Sequence, residues 1–77
     1  MSSNDSVVVD ARGLACPEPL MLAKSAMSRS GGKAVEVMVD TATARDNILR
    51  MAGREGRETT VTADGDSFIV RIGAKKA

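Results

Sequence analysis

The sequence has no histidine, tryptophan or tyrosine, and Phe68 is its single aromatic residue. Without histidine there is no imidazole to act as a base beside a nucleophile or to ligate a metal. One aromatic side chain leaves no series of stacking platforms for single-stranded nucleic acid. With 11 basic and 10 acidic side chains, the net charge of +1 gives no strong field toward nucleic acid or anionic lipid. The composition therefore predicts no metal site, no direct nucleic-acid partner and no membrane partner.

Long hydrophobic runs and paired cysteines are also missing. No stretch approaches the ~18 apolar residues of a membrane-spanning helix, and residues 1–6 lack the cationic start and apolar core of an export signal. Cys16 is the single cysteine, and a free thiol fits a reducing compartment, so we expect a cytoplasmic protein. The 77 residues predict one domain, with an ordered core at about 6–73 and tails at 1–5 and 74–77.

Hydrophobic periodicity predicts four strands and two helices. The strands are expected where β-branched residues run together or alternate with polar ones, in the segments 7–9, 35–39, 60–63 and 68–72. Helical spacing after Pro17 and after Asp40 predicts two helices, which Gly31-Gly32 and Gly56 would end. An Asp-Gly pair at 64–65 predicts a tight hairpin. With a right-handed crossover, the order β-α-β-α-β-β predicts an α/β two-layer sandwich: a four-stranded mixed sheet with two helices on one face.

The same periodicity identifies a candidate core. On the first helix the apolar arc comprises Pro19, Leu20, Leu22, Ala23, Ala26 and Met27. On the second helix it comprises Ala44, Ile48, Met51 and Ala52. Val61 and Ala63 are expected on the covered face of the third strand.

The motif Cys16-Pro17-Glu18-Pro19 lies where the first loop turns into the first helix. Proline is favoured at the first helical position, so we expect Pro17 to begin the helix and Cys16 to be its N-cap. The amide of Glu18 would then face the sulfur, and with the helix dipole it would lower the pKa of the thiol, although the Glu18 carboxylate opposes that shift. An unpaired cysteine is more often a buried core residue. The polar loop and the two prolines nevertheless predict an exposed, reactive thiol.

Three side chains are candidates for docking a partner. Met21 lies about one turn beyond the cysteine on the polar arc of the first helix, where an exposed methionine suits a contact surface. Lys24 is too far along the helix to pair with the sulfur and suits steering of a partner. Arg45, on the charged face of the second helix, belongs to basic patches that would receive an acidic protein surface, although such faces are often only solvated. The other members of these patches are Arg29, Lys33, Arg50 and Arg54.

Other charged residues flank the motif. Arg12, in the loop before the cysteine, is a candidate to stabilise a thiolate or persulfide, and the alternative is a side chain that is only solvated. Asp10 and Asp40 end two parallel strands and are predicted to cap or order the loops there, with no catalytic role for either. Asp64 and Asp66 flank a hairpin glycine, which indicates turn chemistry before metal chemistry.

The segment 10–21, Asp-Ala-Arg-Gly-Leu-Ala-Cys-Pro-Glu-Pro-Leu-Met, resembles the Cys-Pro-x-Pro signature of the TusA/SirA/YedF family of small sulfur-carrier proteins. The resemblance runs from residue 7 to about 72, and segments 12–16 and 43–47 look closest to YedF-like members, often linked to selenium metabolism. It implies that Cys16 accepts a sulfane sulfur as a persulfide from a donor such as a cysteine desulfurase. The acceptor would be another sulfur-relay protein, serving tRNA thiolation, cofactor or selenium metabolism.

Persulfide exchange needs an accessible nucleophilic sulfur and a partner thiol, and it needs no metal, cofactor or base within the carrier. A chain with one cysteine cannot resolve a persulfide alone, so we expect a sulfurtransferase-type carrier that turns over only with partner proteins. Two alternatives stay open at this point. One is a redox-sensing or regulatory interaction module in which Cys16 relays no sulfur. The other is nucleic-acid binding, which small α/β sheets support and the near-neutral charge opposes.

Overall fold

The computed structural model describes residues 7–15 and 17–73. Cys16 and the tails predicted at 1–5 and 74–77 lie outside the described residues. Six elements follow one another in the predicted order β-α-β-α-β-β. They are β1 Val7–Asp10, α1 Glu18–Arg29, β2 Val35–Val39, α2 Ala42–Arg54, β3 Thr59–Asp64 and β4 Ser67–Ile72.

The four strands form one mixed sheet in the order β1-β2-β4-β3. β1 and β2 are parallel, because the chain returns through α1 between them. β4 pairs antiparallel with both β2 and β3. A two-residue loop, Gly65 and Asp66, joins β3 to β4 and confirms the predicted hairpin. The predicted two-layer architecture, with both helices on one face of a mixed sheet, is confirmed.

One hydrophobic core fills the space between the sheet and the helices. The central strands supply it with Val35, Val37, Val39, Val70 and Ile72. α1 supplies Pro19, Ala23, Ala26 and Met27, and α2 supplies Ala44, Ile48, Met51 and Ala52. The arcs predicted for both helices are confirmed, with Leu20 and Leu22 half-buried at the margin of the core.

The covered face predicted for β3 is wrong. Val61 is 37% exposed, and Ala63 is exposed as well. β3 is an edge strand, paired on one side only, and the helices centre on the inner strands. Alternation alone cannot tell an edge strand from a central one, since both have the same period.

Side-chain and backbone hydrogen bonds define both ends of α2. Thr41 is the N-cap, in an extended conformation, and its hydroxyl oxygen accepts a 3.1 Å bond from the Ala44 N–H. At the other end Gly56 has a φ of +75°, which glycine adopts without a Cβ penalty. There the Gly56 N–H donates to the Gly53 carbonyl and the Arg57 N–H to the Ala52 carbonyl. This is a Schellman motif, and it confirms the predicted stop at Gly56.

No helix within the described residues is long and apolar enough to cross a membrane.

Candidate functional site

The loop that carries the Cys-Pro-x-Pro motif leaves the sheet where the parallel strands β1 and β2 both end. Ala11 is fully buried, and its N–H donates a 2.8 Å hydrogen bond to the Met38 carbonyl. This bond continues the parallel pairing of β1 with β2 one residue beyond Asp10. The loop therefore starts from a fixed point in the core, and it reaches the surface at Arg12.

Asp10 holds Arg12 through its side-chain carboxylate. The Arg12 Nε and Nη2 atoms each donate to it at 2.9 Å, and the Arg12 backbone N–H donates at 3.1 Å. The side-chain hydrogen bond from Arg12, helped by the backbone bond, lowers the pKa of Asp10 to about 2. The same hydrogen bond raises the pKa of the Arg12 guanidinium, with further attraction from Asp64 and Asp40. The predicted ordering role of Asp10 therefore has a direct structural counterpart.

Asp40 ties the next residue of the loop to the end of β2. Gly13 has a φ of +80°, and its N–H donates a 2.9 Å hydrogen bond to the Asp40 Oδ2 atom. Parallel strands end at the same edge of a sheet, so the carboxylate that follows β2 lies beside the loop that follows β1. Asp10 and Asp40 thus fix two consecutive loop residues from two different strands.

The described residues on both sides of Cys16 are joined by a hydrogen bond. The Ala15 carbonyl accepts a 2.8 Å bond from the Glu18 N–H, and one turn later the Met21 N–H donates to the Pro17 carbonyl at 3.0 Å. α1 begins at Glu18, and Pro17 is its N-cap, with φ −102° and ψ 18°. The chain is therefore fixed immediately before and after position 16.

These contacts correct the sequence-based prediction of how α1 starts. Pro17 was expected at the first helical position and is the N-cap instead. The Glu18 N–H, expected to face the sulfur, is bound to the Ala15 carbonyl. A proline fits the first turn because the N–H that it lacks would have no intrahelical partner. Pro19, the second helical residue, occupies that place and is buried.

Solvent reaches the described residues that flank Cys16. Residues 12–15 before it, and Pro17 and Glu18 after it, are all exposed. The side chain of Leu14 is at the margin, at 36%. Cys16 itself lies outside the described residues, so its reactivity and its supporting residues stay predictions.

The three predicted docking residues are in different surroundings. Met21 is 62% exposed, as predicted. Lys24 is also exposed and lies ~9 Å further along the helix axis than Glu18, at 1.5 Å per residue. Arg45 is half-buried: its Nε donates to Asp46 at 2.9 Å, and its guanidinium carbon lies 4.7 Å from the centroid of the Phe68 ring.

Sequence reasoning missed two features of this region. The buried Ala11 looked like part of a polar loop, because one small side chain carries no periodicity. The link between Gly13 and Asp40 joins residues 27 apart in the chain. Its signal was the position of Asp40 at the end of the second parallel strand. Within the part of the chain that the structure describes, no group of three or more acidic, histidine or cysteine side chains could hold a metal ion.

We compared the chain with family models, solved structures and curated proteins. Residues 7–73 match the family model described as sulfurtransferase TusA. Among solved structures, the chain is similar to the crystal structure of a SirA-like protein from Desulfitobacterium hafniense, with a TM-score of 0.84 and 33% sequence identity. That alignment covers 91% of this chain and 99% of the other. A comparison with curated proteins gave no match.

Proposed function

The chain belongs to the TusA sulfurtransferase family, and we propose that it is a cytoplasmic sulfur carrier that holds a sulfane sulfur on Cys16 as a persulfide. The observation that carries the proposal is the extent of the family match, which spans all six elements and includes the Cys-Pro-x-Pro motif. The exposure of the described residues on both sides of Cys16 supports it, because a carried sulfur must be accessible to partners.

The proposed chemistry is two successive thiol–persulfide exchanges. The Cys16 thiolate attacks the outer sulfur of a persulfide on the donor, such as a cysteine desulfurase. A new sulfur–sulfur bond forms on Cys16, and the donor cysteine leaves as a thiolate. A thiolate on the acceptor protein then attacks the outer sulfur carried by Cys16, which departs as a thiolate. No net oxidation occurs, and the chain needs no second cysteine because each partner supplies its own.

The residues beside Cys16 have supporting roles in this proposal. Pro17 and Pro19 fix where the helix begins, and the Glu18 N–H closes the chain across position 16 by its bond to Ala15. Arg12 supports the site by holding the loop on Asp10, and it is the cation placed beside the motif in sequence. Together these contacts reduce the conformational freedom that the loop would otherwise lose when a partner binds.

Partner proteins complete the proposed relay. Met21 offers an exposed apolar contact one turn beyond the motif, and Lys24 and Arg45 are the proposed charged docking residues. The resemblance of segments 12–16 and 43–47 to YedF-like members makes selenium metabolism one proposed destination of the sulfur, beside tRNA thiolation and cofactor synthesis. The free cysteine supports placement in the reducing cytoplasm.

Intact-mass measurement tests the proposal. The full chain is incubated with a cysteine desulfurase and cysteine, in parallel with the Cys16→Ser variant. We expect the wild-type chain to gain the mass of sulfur, to lose it on treatment with a thiol reductant, and to transfer it to an added acceptor thiol. Cys16→Ser should gain none. A Ser25→Ala variant, changed at an exposed position on α1, is the matched control and should behave as wild type.

Two results would contradict the proposal. The first is a wild-type chain whose Cys16 reacts with an alkylating reagent in the native state but gains no sulfur. Reversible oxidation of that same thiol by peroxide would then favour the redox-sensing alternative. The second is equal sulfur gain by Cys16→Ser, because the sulfur would then be carried elsewhere.

A further inference from the structure

A surface groove runs between α1 and α2. It consists of two adjoining clefts of about 170 and 480 Å³, which share Lys24 and Met51 in their walls. The smaller cleft begins at Leu20, in the first turn of α1. The larger one extends to the Gly31-Gly32 turn and Arg57. We call the smaller cleft the interhelical groove, and its lining residues are Leu20, Lys24, Asn47, Arg50, Met51 and Arg54.

Among the described residues, three cations and no carboxylate line the interhelical groove, whereas Glu55 lines the adjoining larger cleft. Lys24, Arg50 and Arg54 are all exposed, and within residues 7–15 and 17–73 none of them has an acidic partner at ion-pair distance. In the same ranges, three other arginines do form ion pairs: Arg12 with Asp10, Arg45 with Asp46, and Arg71 with Glu36. The groove therefore presents concentrated positive charge on a chain whose net charge is only +1.

The spacing of these cations is unfavourable for the free helix. Arg50 and Arg54 are four residues apart on α2, and like charges at that spacing repel each other. Asp46, which lies one turn before Arg50, is bound by the Nε of Arg45. If this helix face contacts only solvent, the repulsion between the two arginines is not offset. Binding of an anionic partner would offset it.

The floor of the groove is apolar. Met51 is 9% exposed, and Leu20 is half-buried against the core. The occupant that fits must therefore supply carboxylates to the walls and an apolar side chain to the floor. An acidic, amphipathic protein segment has both. RNA fits less well, because no aromatic side chain is among the described residues that line the groove, and stacking platforms are what single strands use.

One end of the groove lies just beyond the loop that carries Cys16, which we call the thiol loop. Leu20, at one end of the groove, is two residues beyond the start of α1, and exposed Met21 is its neighbour in sequence. A protein segment lying along the groove would bring the body of the partner to the loop that carries Cys16. We propose that the interhelical groove binds an acidic segment of the protein that exchanges sulfur with Cys16. The identity of that protein as a sulfur-relay partner rests on the proposed function.

The test compares two double variants with the same change in charge. The groove variant is Arg50→Gln with Arg54→Gln, and the control variant is Thr60→Glu with Thr62→Glu, so that each changes the net charge by −2. Thr60 and Thr62 are exposed on β3, and they lie outside the groove lining and outside the residues considered for docking. Thermal unfolding checks that both variants are folded.

The first measurement is the initial rate of sulfur gain from a cysteine desulfurase at low and high salt. We expect the groove variant to be slowed about tenfold at low salt, with a smaller effect at high salt, and the control to stay within about twofold of wild type. Alkylation of Cys16 by iodoacetamide should be equal in all three chains, which separates docking from thiol chemistry. An unslowed groove variant, or equal slowing of both variants, would overturn the proposal.

The second measurement does not depend on sulfur chemistry. In the Cys16→Ser background, fluorescence anisotropy follows binding of a labelled amphipathic peptide with glutamate and leucine at helical spacing, and of a labelled RNA oligonucleotide. We expect peptide binding that the groove substitutions weaken about tenfold and the control substitutions leave within twofold. Absence of peptide binding, or tighter RNA binding lost in the groove variant, overturns the proposal. Peptide binding by a chain that takes no sulfur would refute the proposed function alone.

Discussion

At the scale of single residues, the loop before Cys16 depends on two aspartates. Asp10 binds three nitrogen atoms of Arg12, and Asp40 accepts the N–H of Gly13. The Asp40 bond closes a contact between two strands, whereas the Asp10 contact is local. Loss of Asp40 should therefore release Gly13 from the end of β2, while the Ala11 bond to Met38 and the turn around Arg12 persist.

The Asp40→Ala variant tests this anchor. The Gly13 N–H loses its acceptor, so we expect its hydrogen exchange to be about five- to tenfold faster, as loss of one exposed hydrogen bond worth about 1 kcal/mol implies. The rate of sulfur gain at Cys16 should fall, because the loop must be ordered anew at each encounter. Global stability should change by about 1 kcal/mol or less, since the site is exposed. NMR-detected exchange and the desulfurase assay measure the two effects.

Two further variants make that result specific. Asp40→Asn keeps an oxygen acceptor and should restore most of the Gly13 protection. Asp66→Ala removes an equal charge from the β3–β4 loop and should leave both measurements unchanged. Unaltered exchange at Gly13 in Asp40→Ala would show that the hydrogen bond does not order the loop in solution.

At the scale of elements, periodicity and glycine positions were sufficient for the fold. The buried arcs of α1 and α2 follow from side-chain spacing, and Gly56 follows from the conformation that a helix end requires. The start of α1 was placed one residue early, because each of the prolines at 17 and 19 fits the first turn and only tertiary packing chooses between them. The exposure of β3 was missed, since strand order in a sheet is not encoded in the period of one strand.

The N-cap of α2 gives a prediction at this scale. Thr41→Ala removes the hydroxyl that accepts the Ala44 N–H, and we expect a loss of about 1 kcal/mol in the free energy of unfolding. Thr41→Ser keeps the acceptor and should stay close to wild type. Thr43→Ala, on the exposed side of the same first turn, is the matched control and should not destabilise. If urea unfolding gave equal midpoints for Thr41→Ala and Thr43→Ala, the cap would contribute nothing.

At the scale of the whole molecule, the two ends of β2 contribute differently: one helps to hold the thiol loop and the other helps to hold the fold together. One end leads to Asp40 and the thiol loop. At the other end lies Arg57, which is 8% exposed and was not recognised in the sequence because a lone arginine in a loop resembles any surface cation. Its Nε donates to the Gly73 carbonyl at 2.8 Å, and its Nη2 to the Lys33 carbonyl at 2.7 Å. The Schellman motif of α2 sets its position, so one side chain connects a helix end to the segment before β2 and to the residue after β4.

Arg57→Lys should therefore weaken the fold without disabling the thiol loop. A lysine ammonium cannot reproduce the fork that reaches both carbonyls, and burial makes an unpaired carbonyl costly, so we expect a loss of about 2 kcal/mol in the free energy of unfolding by urea. The dependence of that free energy on urea should keep its slope, since the native core is unchanged. Arg29→Lys, at an exposed helix end, is the matched control and should be neutral.

Below the unfolding transition, sulfur gain at Cys16 should match wild type, because Arg57 and the thiol loop lie at opposite ends of β2. If Arg57→Lys kept full stability, water would be hydrogen-bonding to the two carbonyls as well as the guanidinium does. If the variant were folded but slow in sulfur gain, the two ends of β2 would be coupled.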